Sequence, residues 1–477
     1  MRFIGFIGPS YTSSSLNVDC QRCLNLYPEI DQLGTGKAGE VASLVSTPGL
    51  TLLLALPASP VRGVYQASNG AVYAVGGNKV YSISNAWVST EIGTIFTTSG
   101  PVSMIDNGVQ LVIVDGLNGW YVTLANNAFA EITDTNFQNS TLVSFQDGYF
   151  IFNKPDSQVC YVSNLYAVTF NALAIGSNSS SPDNLVAAVA INQNLYMFGS
   201  QHTESWYDAG TTPMPFARIQ GSVVQIGCSS AFSIGVLEGA PYWVGGDANG
   251  QGIVYKMNGY VPQRISTPAI ESVIRGAGAT NIANARAWTY QSSGHLFYCL
   301  NVPGLQSTWV YDSSTSLWHE RANLTNQGLD RHIVDCSSVA YGVVIGGDFS
   351  SGNIYQIDQS SFTDNGTPIV RMRSSPHMTQ DLMRMFHSRF QLDMEVGVGL
   401  ATGQGSAPQA ILQWSDDGGH TWSNEHWAGA GRIGETKNRS IWRRLGSTRD
   451  RVYRVTITDP IKVVLIGAEI DFEQGAS

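Results

Sequence analysis

Charge is what this sequence has least of. Only 13% of its 477 residues are Asp, Glu, Lys or Arg, about half the share of an ordinary globular chain. Residues 100–200 contain no arginine at all. With 26 basic and 36 acidic side chains the formal charge is −10. Such a chain does not grip DNA through its phosphates, because that affinity comes from Lys and Arg displacing counterions. Long apolar runs are missing as well. None approaches the 18 residues of a helical membrane span, and the apolar start Met1–Pro9 is broken by Gly5, Gly8 and Pro9, so neither a span nor an export signal is expected. The six cysteines are too few for a disulfide framework and are expected as buried, reduced thiols. No amphipathic helix of three turns declares itself. The best stretch, Thr379–Phe390, predicts one short helix or an edge strand. The eight histidines form no HExxH, and there is no G-x-S-x-G elbow or P-loop.

What is present is glycine, 50 residues of it, with abundant Asn, Ser, Thr and Tyr, the composition of short strands joined by tight turns. The sequence repeats itself. Val75-Gly76-Gly77-Asn78 leads into Lys79-Val80-Tyr81, Val244-Gly245-Gly246-Asp247 into Ile253-Val254-Tyr255, and Ile345-Gly346-Gly347-Asp348 into Asn353-Ile354-Tyr355. Each copy reads as a β-hairpin whose Gly and Asn/Asp supply the positive φ of the turn. Looser copies fill the gaps. The turn residues Gly70, Gly108, Gly148, Asn194, Gly239, Gly294 and Gly342 recur at intervals between 38 residues (70 to 108) and 55 (239 to 294), the period of β-propeller blades. Seven units are counted over 55–362, and six remain compatible with the spacing.

Charge divides the chain. Residues 1–370 hold 13 basic and 24 acidic side chains (−11), and residues 371–477 hold 13 and 12 (+1). Together with the turn-forming run Asp364–Pro368 this places a boundary before a region that alternates like an antiparallel sandwich. The expectation is an all-β chain: an N-terminal arm or strand segment over 1–54, a six- or seven-bladed β-propeller over 55–362, and a β-sandwich-like domain over 367–477.

Four motifs invite chemistry. Cys20-Gln21-Arg22-Cys23 has the spacing of half a zinc site, but no second half exists, and a metal-free structural role is expected. Gly429-Ala430-Gly431-Arg432-Ile433-Gly434 matches the dinucleotide fingerprint in letters only, since no βαβ unit surrounds it, and a loop between strands is expected. Ser415-Asp416-Asp417-Gly418-Gly419-His420-Thr421-Trp422 resembles the Asp-box of sialidases, with Ser415, Asp417, Gly419, Thr421 and Trp422 at the matching positions. Its mechanics are those of a turn, in which a carboxylate accepts backbone N–H groups and the Trp packs under the fold. Finally Arg432, Lys437, Arg439, Arg443, Arg444, Arg449, Arg451 and Arg454 cluster with Trp427, Trp442 and Tyr453. Arg and Trp are enriched at protein interfaces, so Arg432, Arg439, Trp442, Arg443, Arg444, Arg449 and Arg451 are candidate contact residues, ahead of a nucleic-acid surface. A glycosidase needs paired carboxylates, or a Tyr nucleophile with an Arg cluster; the propeller's seven arginines are scattered singly. No catalytic, cofactor or metal residue is assigned.

Several segments resemble one family, the packaged-DNA stabilisation or tail nozzle (plug) proteins of short-tailed bacteriophages. They are Asn25-Leu26-Tyr27-Pro28-Glu29, Ser46-Thr47-Pro48-Gly49-Leu50, Val61-Arg62-Gly63-Val64-Tyr65, and Leu195–Ser200 with Glu204. Towards the end come Leu412–Gly418, Trp442-Arg443-Arg444-Leu445-Gly446 and Val463–Ile470. The resemblance implies a non-enzymatic virion protein without cofactor, assembled in the host bacterial cytoplasm as a homo-oligomeric ring, a hexamer. Its implied partners are the portal–adaptor complex and a tail needle or tail fibre or spike proteins. Packaged double-stranded DNA would be retained above the ring and leave through its channel without sequence-specific binding. The competing readings are a tail-associated glycan-binding receptor protein and a sialidase-like glycoside hydrolase.

Overall fold

Alternating apolar residues and tight turns build seven antiparallel sheets of four main strands each in the computed structural model, which describes residues 2–31, 42–247 and 250–475. Blades 1 to 6 occupy residues 61–94, 103–131, 143–177, 185–218, 227–264 and 286–325. Blade 7 takes three strands from 334–358 and its outermost strand, Gly49–Ala55, from near the chain start. The innermost strands pack neighbour to neighbour, and the circle closes where Val334–Ala340 meets Val61–Gln66. The described blades number seven.

The glycines that mark the period sit where expected. Gly70, Gly108, Gly148, Gly239, Gly294 and Gly342 turn the first hairpin of their blades at φ between +70° and +89°. In blade 4 the left-handed residues are Asn192 and Gln193, and Asn194, read as the turn, already begins the next strand. The Gly-Gly pairs of the repeat have a different reason from the one expected. Of those glycines only Gly77 adopts a positive φ. The others are places of close approach: a Cβ on Gly347 would lie 2.4 Å from Val61 Cγ1, and one on Gly245 would lie 2.3 Å from the Gly227 carbonyl oxygen. The longest interval in the period, between blades 5 and 6, holds the helix Pro268–Gly276, capped by Thr267 and started by Pro268, with Ile270 and Ile274 buried. At nine residues it was too short for its period to be read from sequence.

Residues 1–54 do not stand apart as an arm, a correction with a plain physical cause: each of their strands completes a sheet that would otherwise expose a ladder of backbone groups. One sandwich sheet runs in the order Leu26–Ile30, Ala42–Ser46, Val464–Gln474, Met385–Met394, Ser440–Arg443. The other runs Cys20–Leu24, Arg371–Ser374, Asp450–Ile457, Gln409–Ser415, His426–Gly429, and is joined to blade 6 where Leu24 pairs in parallel with Glu320. Between the sheets lie Cys23, Leu26, Leu44, Phe390, Leu412, Tyr453, Val455 and Ile470. The propeller is thus inserted between the two parts of the sandwich. Thr379–Phe390 contains no helix: Met378–Thr379 and Met385–Met394 are strands.

The junction is polar and buried. Asn25, at φ 53°, donates its backbone N–H to the Glu320 backbone carbonyl (2.8 Å), and its own carbonyl accepts from Thr47 N–H (3.1 Å). Its amide donates to the carbonyls of Ala322 and Val370 (2.9 Å each) and accepts from Ala322 N–H (3.0 Å). One side chain therefore ties the N-terminal segment, blade 6 and the entry to the second half of the sandwich. Arg22 grips the Glu320 carboxylate through one guanidinium edge, with Nε and Nη2 donating at 3.2 and 2.6 Å. Arg373, fully buried, donates to the carbonyls of Gly5, Phe6 and Pro9 and to Gln21.

Two outcomes follow from this packing. Asn25→Ala leaves three buried backbone groups without partners in a left-handed conformation that Ala resists, and should cost about 3 kcal/mol; urea unfolding followed by tryptophan fluorescence measures it. Asp364, buried beside the junction, has its carboxyl pushed up to about 6 by loss of solvent, against the pull of Arg321 and Arg371. The folded chain then binds more protons than the unfolded one between about pH 4 and 6, so stability falls as pH rises through that window, by an amount on the order of 2 kcal/mol. Comparing the pH dependence of the urea midpoint with that of Asp364→Asn, which should lack this slope, checks the sign.

Candidate interface site

The candidate residues all lie on the sandwich, and burial separates them. The loop from Gly429 to Ser440 leaves the edge strand of one sheet and enters the edge strand of the other. Its shape is held by Asn438 Nδ2 on the Gly429 carbonyl (2.6 Å) and by the Glu435 carboxylate, which accepts from Arg432 N–H (2.8 Å). The fingerprint glycines Gly431 and Gly434 serve this turn at φ 92° and 80°. Arg432, Lys437, Arg439, Arg443, Arg444 and Arg449 are exposed, and none makes an ion pair with a described residue. They lie on the Gly429–Ser440 loop, on the strand Ser440–Arg443 and in the segment that follows it.

Two expected contact residues are instead structural. Arg451 is 1% exposed. Its guanidinium grips Asp416 through two bonds of 2.6 and 2.8 Å and donates to the Leu445 carbonyl, between the rings of Trp414 and Tyr453. Trp442 packs edge-on against Phe390 and donates its indole N–H to the His426 carbonyl at 2.8 Å. Both are drawn inward by strand alternation, since Trp442 and Val452–Tyr453 belong to strands whose neighbours fill the core. Sequence clustering saw the arginines but not their direction.

The Asp-box-like segment is a turn. Ser415 Oγ donates to Asp417 Oδ1 (2.6 Å) and accepts from Gly419 N–H (2.7 Å). The Asp417 carboxylate also accepts from the N–H and hydroxyl of Thr421 (2.8 and 2.6 Å). The Ser415 and Thr421 bonds hold that carboxyl well below the usual range. Gly418 and Gly419 are left-handed, and a Cβ on Gly419 would meet Cys20 at 3.1 Å. Trp422 does not pack under the fold as expected; it is half-exposed, with the Arg454 guanidinium 3.9 Å above its ring. The turn seals the sandwich against the N-terminal strand.

Cys20 and Cys23 lie on that strand, and residues three apart in a strand point to opposite faces. Cys23 enters the core and donates to the Leu26 carbonyl, while Cys20 faces the turn and His377. The two thiols therefore diverge.

A site that sequence reasoning missed lies where the inner strands of blades 6, 7 and 1 begin. Arg286 and Arg331 each donate to Asp335 (2.6 and 2.8 Å), Arg331 lies 3.6 Å over the Phe349 ring, and Arg62 clamps the carbonyls of Gly77, Thr97 and Gly100. They border a cleft of about 410 Å³. Its one carboxylate, Asp335, is nearly buried and doubly paired, so the two facing carboxylates of a glycosidase are not found there. A second charged group, His202 with Asp183 and Glu204, is sealed inside blade 4, where Glu204 accepts from Ser180 N–H and the Trp206 indole (2.9 Å each). No substrate reaches it. No single signal in the sequence gathers these residues, which are distant along the chain.

The profile described as Bacteriophage P22 Gp10, beta-propeller matches residues 12–362, and the one described as Bacteriophage P22 Gp10, beta-sandwich matches residues 370–473. The chain belongs to the P22 Gp10 family. It is similar to the tail hub protein gp10 of Salmonella phage P22, at 22% identity over 442 residues, 86% of this chain and 88% of that protein. Among solved structures it is similar to the extracellular domain of a two component system from B. thetaiotaomicron (10% identity, 81% of this chain and 48% of that one, TM-score 0.45). It is also similar to the Pan2 WD40 domain of Neurospora crassa (10%, 65% and 95%, TM-score 0.43). The all-β reading, propeller followed by sandwich, agrees with the Gp10 family. The segments that carried the family resemblance are largely structural in this chain: Asn25 at the junction, Arg62 as a clamp, Glu204 in blade 4 and Trp442 in the sandwich core.

The burial split predicts a split in variants. Arg451→Ala and Trp442→Ala should each destabilise the protein by about 3 kcal/mol, whereas Arg439→Glu with Arg443→Glu and Arg449→Glu should leave the thermal midpoint unchanged; calorimetry of the two sets distinguishes them.

Proposed function

We propose that this chain is the structural hub, or nozzle, of a short phage tail, assembled as a ring of six copies below the portal–adaptor complex. The observation that carries this is the run of both Gp10-family units, in order, from residue 12 to 473, with a tail hub protein among its relatives. The protein works in the virion after assembly in the host bacterial cytoplasm; no helix among its described residues is long and apolar enough to cross a membrane. It catalyses nothing. Its partners are its own copies, the adaptor, and a needle, fibre or spike below.

DNA passes between copies. The inner strands of the propeller pack around their ring, and the clefts at the blade 6–7–1 end, of about 410 and 70 Å³, have no room for a duplex. An acidic body with few cations neither holds nor drags a duplex, which suits an exit channel. The exposed Arg432, Arg439, Arg443, Arg444 and Arg449 serve protein contact, where guanidinium groups meet the acidic surface of a neighbour.

The experiment is the mass of the purified protein, alone and mixed with its phage's portal–adaptor complex, by light scattering with negative-stain imaging. A discrete ring, or several copies recruited to the connector, is the expected outcome. Association should weaken at high salt and in the Arg439→Glu, Arg443→Glu, Arg449→Glu variant. A monomer indifferent to the connector would overturn the reading.

A further inference from the structure

Residues 1–370 hold 13 basic side chains against 24 acidic ones, yet three of those 13, Arg62, Arg286 and Arg331, line one cleft of about 410 Å³. Arg62 and Arg286 stand at the starts of the inner strands of blades 1 and 6, and Arg331 ends the strand Gly328–Arg331. Among the lining residues the one carboxylate is Asp335. It is shared, accepting from Arg286 at 2.6 Å and from Arg331 at 2.8 Å. Three positive charges therefore face one negative charge in a half of the molecule where the overall balance is the reverse.

The three cations differ in what they have left to give. Arg62 is 4% exposed and spends its donors on the carbonyls of Gly77, Thr97 and Gly100 and on the Thr97 hydroxyl, all of them uncharged. Asp115 meets it only through that hydroxyl, which donates on to the carboxylate. A buried guanidinium with no carboxylate against it is costly. Burial lowers its pKa, Asp115 opposes that shift, and Arg286 adds to it, so two of the cations are close enough to repel each other. Arg286 and Arg331 donate to Asp335 through Nη1 alone. Nε and Nη2 of each have no hydrogen-bond partner among the described residues.

The cleft thus has two charges in excess and two guanidinium groups with a fork of donors unspent. A single carboxylate has two oxygens and satisfies one such fork, whereas a tetrahedral dianion presents three oxygens and bridges both. The rest of the lining is neutral and polar, with Ser99, Asn281 and Asn284 offering a hydroxyl and amides. A volume of about 410 Å³ lies in the range of small-ligand sites. We propose that this cleft binds a phosphate dianion, free or as the head of a small monoester, between Arg286 and Arg331, with Arg62 adding its charge. The site is built by one chain and does not depend on ring assembly.

The test is calorimetric titration of the full-length protein with inorganic phosphate, glycerol 3-phosphate and succinate in turn, with ionic strength held constant by sodium chloride. It is run at about pH 8, where a phosphate monoester carries close to two charges. The expected result is one saturable phosphate site per chain. Tighter binding of glycerol 3-phosphate assigns the head of a monoester, and equal binding assigns free phosphate. Arg286→Gln should weaken phosphate binding by about tenfold or more, and Arg286→Lys, which keeps the charge and loses the fork, should fall between it and the native protein. Because Arg286 also holds Asp335, a second variant spares the buried pair: Ser99 is exposed, and Ser99→Asp should weaken binding by about tenfold with an unchanged thermal midpoint. Heats no larger than those of sodium chloride, or phosphate binding that both Arg286→Gln and Ser99→Asp leave unchanged, overturn the site. Succinate binding more tightly than phosphate overturns the assignment of a tetrahedral dianion.

Discussion

The architecture depends on the clasp that the chain's beginning makes with its later parts. A propeller is a circle of sheets, and its last blade stays open until a strand from far along the sequence closes it. Here Gly49–Ala55 pairs with Asn353–Asp358, across some three hundred residues. Closing so long a loop is entropically less forbidding than it looks, because the cost grows only with the logarithm of length. What the clasp returns is a ladder of backbone hydrogen bonds, broken once by a bulge at Leu53, and a buried seam of Leu54, Ile354 and Ile345.

The same stretch of chain does a second task. Before it reaches blade 7 it has laid Cys20–Leu24 into one sandwich sheet and Leu26–Ile30 with Ala42–Ser46 into the other. The two bodies are therefore one covalent and hydrogen-bonded unit, with Asn25 at the crossing point and Arg373 holding the first residues by their carbonyls. An unpaired buried polar group is costly, so these contacts act as a lock: the N-terminal strands belong to both sandwich sheets, and Leu24 and Asn25 bond to blade 6. For a structural protein of the Gp10 family, a rigid joint between two β bodies is a useful property.

Electrostatics follows the same division. The acidic side chains sit mainly on the propeller half, while six exposed cations, Arg432, Lys437, Arg439, Arg443, Arg444 and Arg449, lie within eighteen residues of the sandwich. Charge thus distinguishes surfaces, and two half-buried ion pairs, Arg451 with Asp416 and Arg22 with Glu320, fasten elements together. Such pairs bring geometric specificity more dependably than net stability.

By itself the sequence determined the fold class, the period of the blades and the composition of the second domain, because strand alternation and left-handed turns are written locally. Gly70, Gly108 and Gly148 announce their hairpins to any reader of φ preferences. It also carried the resemblance to the right family. What only tertiary structure decided is direction and partnership. Trp442 and Arg451 lie among exposed arginines in the chain yet face the core; Cys20 and Cys23 share a motif yet point apart. Gly245 and Gly347 are glycine because the Gly227 carbonyl and the Val61 side chain, 18 and 286 residues away, come within 2.4 Å of where a Cβ would be. Residues 1–54 read only as an N-terminal arm or strand segment because their pairing partners lie hundreds of residues away. Local chemistry fixes which strands form; which strands meet is fixed by burial and hydrogen-bond completion over the whole chain.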